Sequence, residues 1–389
     1  MNNVSRRTVM QQAALAAAGL AVLPEFGWLA AAQEAGRQVV PFEDIPENFS
    51  LKRPGNFTLP GQDVAGIDLR QVTPKIAPNN TFVVTHYNSP EIDASKWQLQ
   101  VSGLAGRPLT FTLDDLKKRP RVDRTVTFEC GGNRAEVMHR MVGNATWTGC
   151  ALKDVLEESR PARETLEAIF WAEDSGEETI RNAKYTMNFA RSMEIGDAMD
   201  AGAILAYEVE GQPLPVIHGY PVRLIVPGWY GVSNVKWLRR IEFSPRRFMG
   251  RFMGRDYVTI MGRQVGDHVE YTETSVTRIL VKSMIAKVLR PAAGAGAFTV
   301  MGVAYGDGTP IEKVEVQVDG GAWQPAKLES NRNPYSWTFW SFDVSTWPAG
   351  SHTVASRAFD RAGRTQPPDL SMKKSNWENN AIWTRKIKV

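Results

Sequence analysis

The spacing of apolar residues differs between the two halves of the chain. Over residues 66–268, short apolar runs such as WQLQVSGL, RTVTFEC and PVRLIVP are separated by segments of helical period, LDDLKKR and LKDVLEESR. Over residues 269–389, segments such as GAFTVMGVAY and IEKVEVQV alternate apolar and polar positions, as strands with one buried face do. The pattern predicts an α+β protein in which a mixed α/β domain precedes an immunoglobulin-like β-sandwich.

Turn residues and aromatic residues add detail to the second half. The sequence DGG at 319–321 lies between two alternating runs and predicts a hairpin connection. Three tryptophans follow, Trp337, Trp340 and Trp347. The sequence leaves open whether they form an exposed aromatic cluster or part of the sandwich core.

The N-terminal region has the features of an export signal. A twin arginine at 6–7 precedes an apolar run at 13–23 and three alanines at 30–32. This order is typical of a twin-arginine signal peptide over residues 1–32, and an ordinary secretory signal is the alternative. The apolar run is shorter than the ~20 residues of a spanning helix, so we expect a periplasmic protein with no stable membrane anchor. Residues 33–65 predict an extended arm.

The charge of the chain argues against one class of partner. The formal net charge is +4, and loss of the predicted signal, with its two arginines and one glutamate, lowers it to +3. The basic residues form no block or stripe that would follow a phosphate backbone. We therefore predict no nucleic-acid partner, whereas mild positive charge is compatible with a small anionic substrate.

The chain contains two cysteines, Cys130 and Cys150. Cys130 follows an apolar run and begins the sequence CGGNR, where a thiolate could bind a metal and the glycines would let a cofactor approach the backbone. A buried core cysteine is the alternative for Cys130. A disulfide between the two would exclude metal binding. Cys150 begins an amphipathic segment, and we predict that it is a packing residue.

Four segments, in order and approximate spacing, resemble sulfite oxidases. They are RTVTFECGGNR, LAYEVEGQPLP, HGYPVRLIVPGWYGVSNVKWL and NNAIWTRKIKV. The resemblance implies a molybdopterin-binding catalytic domain over 66–268 and a dimerisation domain over 269–389, hence a homodimer. It also implies a molybdenum cofactor in which one pterin dithiolene binds the metal.

The resemblance assigns roles to individual residues. Cys130 would be the thiolate ligand of molybdenum. Tyr257 would lie beside the metal-bound oxygen and donate a hydrogen bond to the substrate or to the oxo group. The pterin and its phosphate would be held by His86, Asp174, His218, Arg223, Asn234, Val235 and Lys236. These residue types suit a pterin cofactor. The donors and acceptors of the pterin ring can form hydrogen bonds with His and Asp, and its phosphate can be bound by Arg, Lys and backbone amides.

The sequence departs from the family where the family binds substrate. Sulfite oxidases surround their anion with arginines, which are planar bidentate donors. At the three corresponding positions this chain has Val84, Ala135 and either Ser375 or Asn376. Nearby cations could replace those arginines; the candidates are Arg134, Lys373, Lys374 and Arg255.

The resemblance implies a sulfite dehydrogenase that oxidises sulfite to sulfate. The sequence contains no CxxCH haem-attachment motif, so we expect a separate c-type cytochrome as the electron acceptor. Because the substrate arginines are absent, two alternatives remain. One is the same metal site acting on a less anionic substrate, such as a sulfoxide or an N-oxide in the reductive direction; the other is a non-catalytic binding protein.

Overall fold

The computed structural model of the chain describes residues 37–45, 64–72, 82–135, 139–200, 202–291 and 297–389. The predicted signal peptide, 1–32, and most of the predicted arm, 33–65, lie outside these described residues. Among the described residues, no helix has the length and apolar character needed to cross a membrane.

The described residues are mainly β-structure with short helices. The strands, in chain order, are β1 (Val64–Ala65), β2 (Val83–Val84), β3 (Gln98–Gly103), β4 (Leu109–Thr112), β5 (Val122–Glu129), β6 (Val142–Ala151), β7 (Glu167–Ile180), β8 (Ala183–Glu194), β9 (Ile204–Val209), β10 (Gln212–Pro213), β11 (Arg223–Ile225), β12 (Leu238–Ser244), β13 (Val258–Val265), β14 (His268–Ser275), β15 (Lys282–Leu289), β16 (Phe298–Tyr305), β17 (Ile311–Val318), β18 (Gln324–Pro325), β19 (Lys327–Leu328), β20 (Thr338–Val344), β21 (Ser351–Asp360) and β22 (Thr384–Lys388). The α-helices are α1 (Leu113–Lys117), α2 (Leu152–Ser159), α3 (Ile195–Asp200) and α4 (Arg251–Gly254), and short 3₁₀ helices cover Leu69–Gln71, Val216–His218 and Gly231–Ser233.

Local sequence explains the two helices that the pattern predicted. Helix α1 begins at a capping box, in which the Thr112 hydroxyl accepts from the Asp115 amide and the Asp115 carboxylate accepts from the Thr112 amide. Helix α2 buries Leu152, Val155 and Leu156, which recur at helical spacing on one face. Both helices pack beside strands of the first domain.

The first domain contains two five-stranded sheets. In one, the order is β10-β9-β6-β5, and β11 also pairs with β9. In the other, the order is β4-β3-β12-β7-β8, and β12 runs parallel to β3 and antiparallel to β7. Buried residues from both sheets, among them Leu99, Phe170, Leu205 and Leu238, belong to one continuous core. This core gives a rigid base to the loops at the ends of β5, β7 and β11.

The second half forms the predicted sandwich. Its two antiparallel four-stranded sheets have the orders β15-β16-β20-β19 and β18-β17-β21-β22. The hairpin predicted at 319–321 joins β17 to β18. All three tryptophans are buried: Trp340 and Trp347 lie in the sandwich core, while Trp337 joins the core of the first domain. The alternative of an exposed aromatic cluster was wrong.

Two further segments contact the sandwich or lead into it. The described part of the predicted arm bridges to both sheets of the sandwich, through Val39 with Leu289 and Phe42 with Ile387. The hairpin of β13 and β14 follows Tyr257 and spans the predicted domain boundary at 268. Tyr257 therefore lies at the base of a structure that leads from one domain to the other.

Candidate active site

Cys130 directly follows the last residue of β5 at the edge of a cleft. Its amide donates to the carbonyl of Met141 at 2.9 Å, and this bond fixes the backbone that presents the thiol. Cys130 lines the cleft, whereas Cys150 is fully buried in β6 and burial raises the pKa of its thiol to about 11. Neither cysteine is in a disulfide. Cys150 is a packing residue, as predicted, and the thiol of Cys130 is not consumed by a disulfide.

The cleft brings together most of the residues that the resemblance named. It encloses about 820 Å³ of empty space, including space open to solvent. Eight predicted residues line it: His86, Cys130, Asp174, His218, Arg223, Asn234, Lys236 and Tyr257. They come from distant parts of the chain. The segments just after β2 and β5, the irregular middle of β7, strand β11 with its two flanking loops, and the residue before β13 all meet there.

Two predicted residues do not line the cleft. Val235 is buried, and its carbonyl accepts from the amide of Leu224, so it holds β11 against the loop that carries its two neighbours. Arg134 is half-buried and its carbonyl accepts from the amide of His139. A contact between either side chain and a ligand in the cleft stays a prediction.

Arg223 is the centre of the polar wall. Its guanidinium donates to the carbonyl of His218 at 3.0 Å and to the carbonyl of Asn234 at 2.9 Å. It also lies over the Trp147 ring, 4.7 Å from the ring centroid. Burial lowers the pKa of Arg223 to about 9, which leaves it charged at neutral pH. The wall thus presents a fixed, buried cation to the cleft.

Asn234 and Lys236 extend this wall. The Asn234 side chain accepts from the Val226 amide at 2.6 Å and donates to the carbonyl of Tyr230 at 3.1 Å, so it holds the loop in shape. The Lys236 ammonium donates to the carbonyl of Ile217 at 3.0 Å. The backbone of the 3₁₀ loop before β11 approaches Lys236 closely, and a Cβ at Gly219 would lie 3.0 Å from the Lys236 Cα.

Asp174 is the acidic member of the wall. It lies in β7 and is 2% exposed. Burial raises the pKa of its carboxyl to about 7, and the nearby positive charge of Lys236 opposes that shift. A carboxyl with this pKa can donate or accept a proton near neutrality, which is suitable for a ring that offers both donors and acceptors.

His86 and Tyr257 form a hydrogen-bonded pair on another side of the cleft. The His86 Nε2 lies 2.8 Å from the Tyr257 hydroxyl oxygen, and the His86 ring stacks on Phe189 with centroids 4.7 Å apart. Burial, and then the positive charges of Lys236, Arg251 and Arg191, lower the pKa of His86 to about 3. The imidazole is therefore neutral, and it orients the phenol without adding charge.

The surroundings of Cys130 itself are apolar. Cys130 and Met141 form a small buried cluster, and Phe82 and Val84 pack against it. Phe82 and Val84 also line the cleft. Sequence reasoning noted only Val84, because the side chains that surround a thiol depend on which loops converge and have no local pattern.

The cations proposed as replacements for the missing arginines have other partners. Arg255 forms an ion pair with Glu178 at 2.8 Å, and the buried Lys373 ammonium donates to the carbonyl of Glu378. Of the four candidates, namely Arg134, Arg255, Lys373 and Lys374, none is among the residues that line the cleft. The substrate side of the cleft therefore gains no cation from this set.

The cleft is chemically suited to a molybdopterin. Two buried N–H groups of its lining residues, Trp147 Nε1 and Arg223 Nε, have no hydrogen-bond partner in the protein, and an acceptor-rich group in the cleft could satisfy them. Cys130 offers a single soft ligand, and across the described ranges no three His, Cys, Asp or Glu residues group as a metal site. A metal held by this one thiolate would have positions left for the two sulfurs of a pterin dithiolene.

Comparison with known proteins agrees with this chemistry. Residues 86–252 match the family model of the oxidoreductase molybdopterin binding domain, and residues 269–389 match that of the Mo-co oxidoreductase dimerisation domain. A solved structure, the sulfane dehydrogenase SoxCD from Paracoccus pantotrophus, is similar in fold with a TM-score of 0.72, at 24% identity over 92% of this chain and 90% of that chain.

Sulfite oxidases are among the relatives with similar sequences. Human mitochondrial sulfite oxidase is 32% identical over 325 residues, which cover 76% of this chain and 58% of that protein. Chicken sulfite oxidase is 30% identical over 328 residues, which cover 76% of this chain and 69% of that protein. The chain spans a little over half the length of the mammalian relatives that it matches. It belongs to the sulfite oxidase family of molybdopterin-dependent oxidoreductases.

Proposed function

We propose that the protein is a periplasmic sulfite dehydrogenase that oxidises sulfite to sulfate and passes the electrons to a c-type cytochrome. The observation that carries the proposal is the presence of Cys130 in one cleft with Arg223, Lys236 and the His86–Tyr257 pair. The identity of about 30% to sulfite oxidases supports sulfite as the substrate.

The cofactor would be held by the polar wall. When bound, molybdopterin supplies a molybdenum centre that exchanges an oxygen atom and two electrons with the substrate. Cys130 would provide its thiolate ligand, while Arg223 and Lys236 would donate to the pterin and its phosphate. His218, whose carbonyl accepts from Arg223, would be kept beside the pterin by that bond.

Tyr257 would orient the substrate. Its hydroxyl oxygen lies 2.8 Å from the Nε2 of a neutral His86, which fixes the position of the phenol without adding charge. A phenol at the cleft wall can donate to an oxygen of sulfite and guide its sulfur towards the metal. Phe189 and Phe252 pack on the His86 ring and hold it beside the phenol.

The electrons would leave one at a time to a second protein. The sequence contains no CxxCH motif to bind a haem covalently, and a periplasmic c-type cytochrome fits an exported enzyme. Export rests on the twin-arginine pattern over 1–32, and a homodimer is supported by the match of 269–389 to a dimerisation domain.

A second candidate substrate is less anionic. Phe82, Val84 and Met141 surround Cys130 with apolar groups. A substrate that carries an apolar substituent would fit there better than sulfite, which has a third charged oxygen in that place. A sulfoxide or an N-oxide, acting as an oxygen donor in the reductive direction, has this character. The same metal and cofactor would serve both reactions.

One pair of assays distinguishes the candidates. Molybdenum-loaded protein is tested for sulfite-dependent reduction of ferricytochrome c, and for sulfoxide- or N-oxide-dependent oxidation of a reduced viologen dye. Saturation at micromolar sulfite supports sulfite dehydrogenase. Activity only with the viologen dye supports the second candidate, and inactivity of a fully loaded enzyme in both assays would contradict both.

A further inference from the structure

A half-buried tryptophan from the sandwich domain packs on the proposed catalytic tyrosine. Trp377 lies in the segment before β22, and its ring stacks on Tyr257 with centroids 4.1 Å apart and an angle of 24° between the ring planes. Trp377 is not among the residues that line the cleft. Its stacking partner Tyr257 does line the cleft, so the indole can affect a ligand there through the position of the phenol.

The stacked pair lies directly on the glycines that follow Cys130. A Cβ added at Gly131 would lie 3.2 Å from the Tyr257 ring, and one added at Gly132 would lie 3.2 Å from the Trp377 ring. The next residue after the tryptophan, Glu378, donates its amide to the Gly131 carbonyl at 2.7 Å. The sandwich domain thus contacts both the cysteine loop and the tyrosine.

The backbone of Tyr257 needs such support. Its φ is +58°, in the left-handed region that residues other than glycine, asparagine and aspartate adopt rarely. The carbonyl of Tyr257 accepts from the Val276 amide at 2.8 Å, which fixes one end of the residue. The ring itself is held between the glycine backbone on one side and the indole on another.

We propose that Trp377 is a positioning residue, which holds the Tyr257 ring so that its hydroxyl stays within hydrogen-bond distance of His86 and directed towards the cleft. The proposal rests on the proposed function for the part that concerns turnover. It gives the sandwich domain a role in the active site. Removing the flat indole would let the Tyr257 ring rotate away from His86 into the space that the indole occupied, because the ring is already in close contact with Gly131 and can move only in the other direction.

The test compares two replacements. Trp377→Phe keeps a flat aromatic surface, whereas Trp377→Leu keeps an apolar side chain but removes the aromatic plane. Trp323→Leu is the matched control, because Trp323 is also half-buried on the sandwich but packs under Arg357, 4.3 Å from its ring centroid. Molybdenum content and melting temperature are measured for each variant.

The first readout needs no turnover. Tetranitromethane nitrates exposed phenols, and Tyr257 is 6% exposed. Mass spectrometry of the peptide that contains Tyr257 should show at least about tenfold faster nitration in Trp377→Leu than in the wild type, with little change in Trp377→Phe and Trp323→Leu. Equal nitration rates in Trp377→Leu and the wild type would overturn the proposal. Cofactor-free protein can be used as well, so a variant that loses molybdenum still gives a result.

The second readout is a double-mutant cycle. In the molybdenum-loaded enzyme we expect Trp377→Leu to lower kcat for sulfite about tenfold, with KM changed less than twofold. The Trp377→Phe variant should retain most of the wild-type kcat. In a Tyr257→Phe background the same change should lower kcat less than twofold, since the hydroxyl is already gone. An equal loss in both backgrounds would contradict positioning through Tyr257. If the wild type has no sulfite activity, the proposed function fails, while nitration still decides the role of Trp377.

Discussion

The two sides of the cleft differ in chemistry and in their agreement with the family. The polar wall of Arg223, Asn234 and Lys236 matches the residues that the resemblance named. The side around Cys130, with Val84 and Met141, is apolar where sulfite oxidases carry arginine. The comparison teaches that, within one cleft, the residues assigned to the cofactor can be present while those assigned to the substrate are replaced.

The physical reason lies in the bonds that each side makes. Arg223 and Asn234 form hydrogen bonds with backbone groups of the loops around them, so a replacement would leave buried polar groups without partners. Val84 makes only apolar contacts with its side chain, and a change there disturbs no hydrogen bond of the protein. The apolar side is therefore the side on which the substrate can change.

The largest expected effect is the loss of the thiolate. We expect Cys130→Ser to lower turnover per molybdenum more than a hundredfold, about 3 kcal/mol in the activation free energy, because an alcohol is a harder and weaker ligand than a thiolate. The assay is steady-state turnover normalised to metal content. Cys150→Ala is the control and should retain turnover, at the cost of a lower melting temperature. A fully active Cys130→Ser enzyme would remove the central assignment of the site.

The next effect tests the polar wall. Arg223→Met should remove two hydrogen bonds that a charged guanidinium donates, and this loss should lower the free energy of unfolding by about 3 kcal/mol. The change should also lower the molybdenum content of the purified protein. Denaturant unfolding and metal analysis measure the two results. Arg278→Met is the control: this arginine forms an exposed ion pair with Asp197 at 2.7 Å, which is expected to contribute less than about 1 kcal/mol. Normal cofactor content in Arg223→Met would contradict its role.

The raised pKa of Asp174 predicts that the stability of the cofactor-free protein depends on pH. Folding raises the pKa of its carboxyl from 3.8 to about 7, so the folded state favours the protonated form. The free energy of unfolding should fall as the pH rises from about 4 to about 7, by an amount on the order of a few kcal/mol. Asp174→Asn should remove this part of the dependence and be the more stable protein at pH 8. Parallel pH profiles for the two proteins would show that Asp174 is ionised throughout.

The smallest expected effect is that of a positive charge introduced on the apolar side of the cleft. Val84→Arg should lower the KM for sulfite about tenfold, about 1.4 kcal/mol, because a guanidinium can donate two hydrogen bonds to an oxyanion. Val84→Ala, which changes volume without charge, should leave the KM within about threefold. If Val84→Arg raises the KM for sulfite and that for a sulfoxide alike, the side chain obstructs the cleft, and residue 84 does not select the substrate.

Much of the fold follows from local patterns. Period-two alternation predicted the sandwich, and the helical spacing in LKDVLEESR predicted α2, because each pattern reflects which face of an element is buried. Burial of Trp337 was harder to foresee, since a tryptophan in an alternating strand can face either side. Its place in the core of the first domain depends on how the domains pack, which no local pattern contains.

The candidate site shows the same division. His86 and Tyr257 are 171 positions apart, and the sequence named both through resemblance, but their hydrogen bond could not be inferred from spacing. The partners of Arg255 and Lys373 were also beyond inference, since an ion pair depends on which loops meet. Because these two cations bind other groups and do not line the cleft, they do not replace the family's arginines beside Cys130.

The sequence by itself determined the order of the two domains, the family, and the residue types that a molybdopterin requires, since these are properties of local periodicity and motif. Only the tertiary structure decided that eight of the named residues share one cleft, that its thiol lies among apolar side chains, and that Trp377 reaches Tyr257 from the other domain. Periodicity along a chain records which face of each element is buried, whereas a site depends on which elements meet in space, and that is set by the packing of the whole molecule.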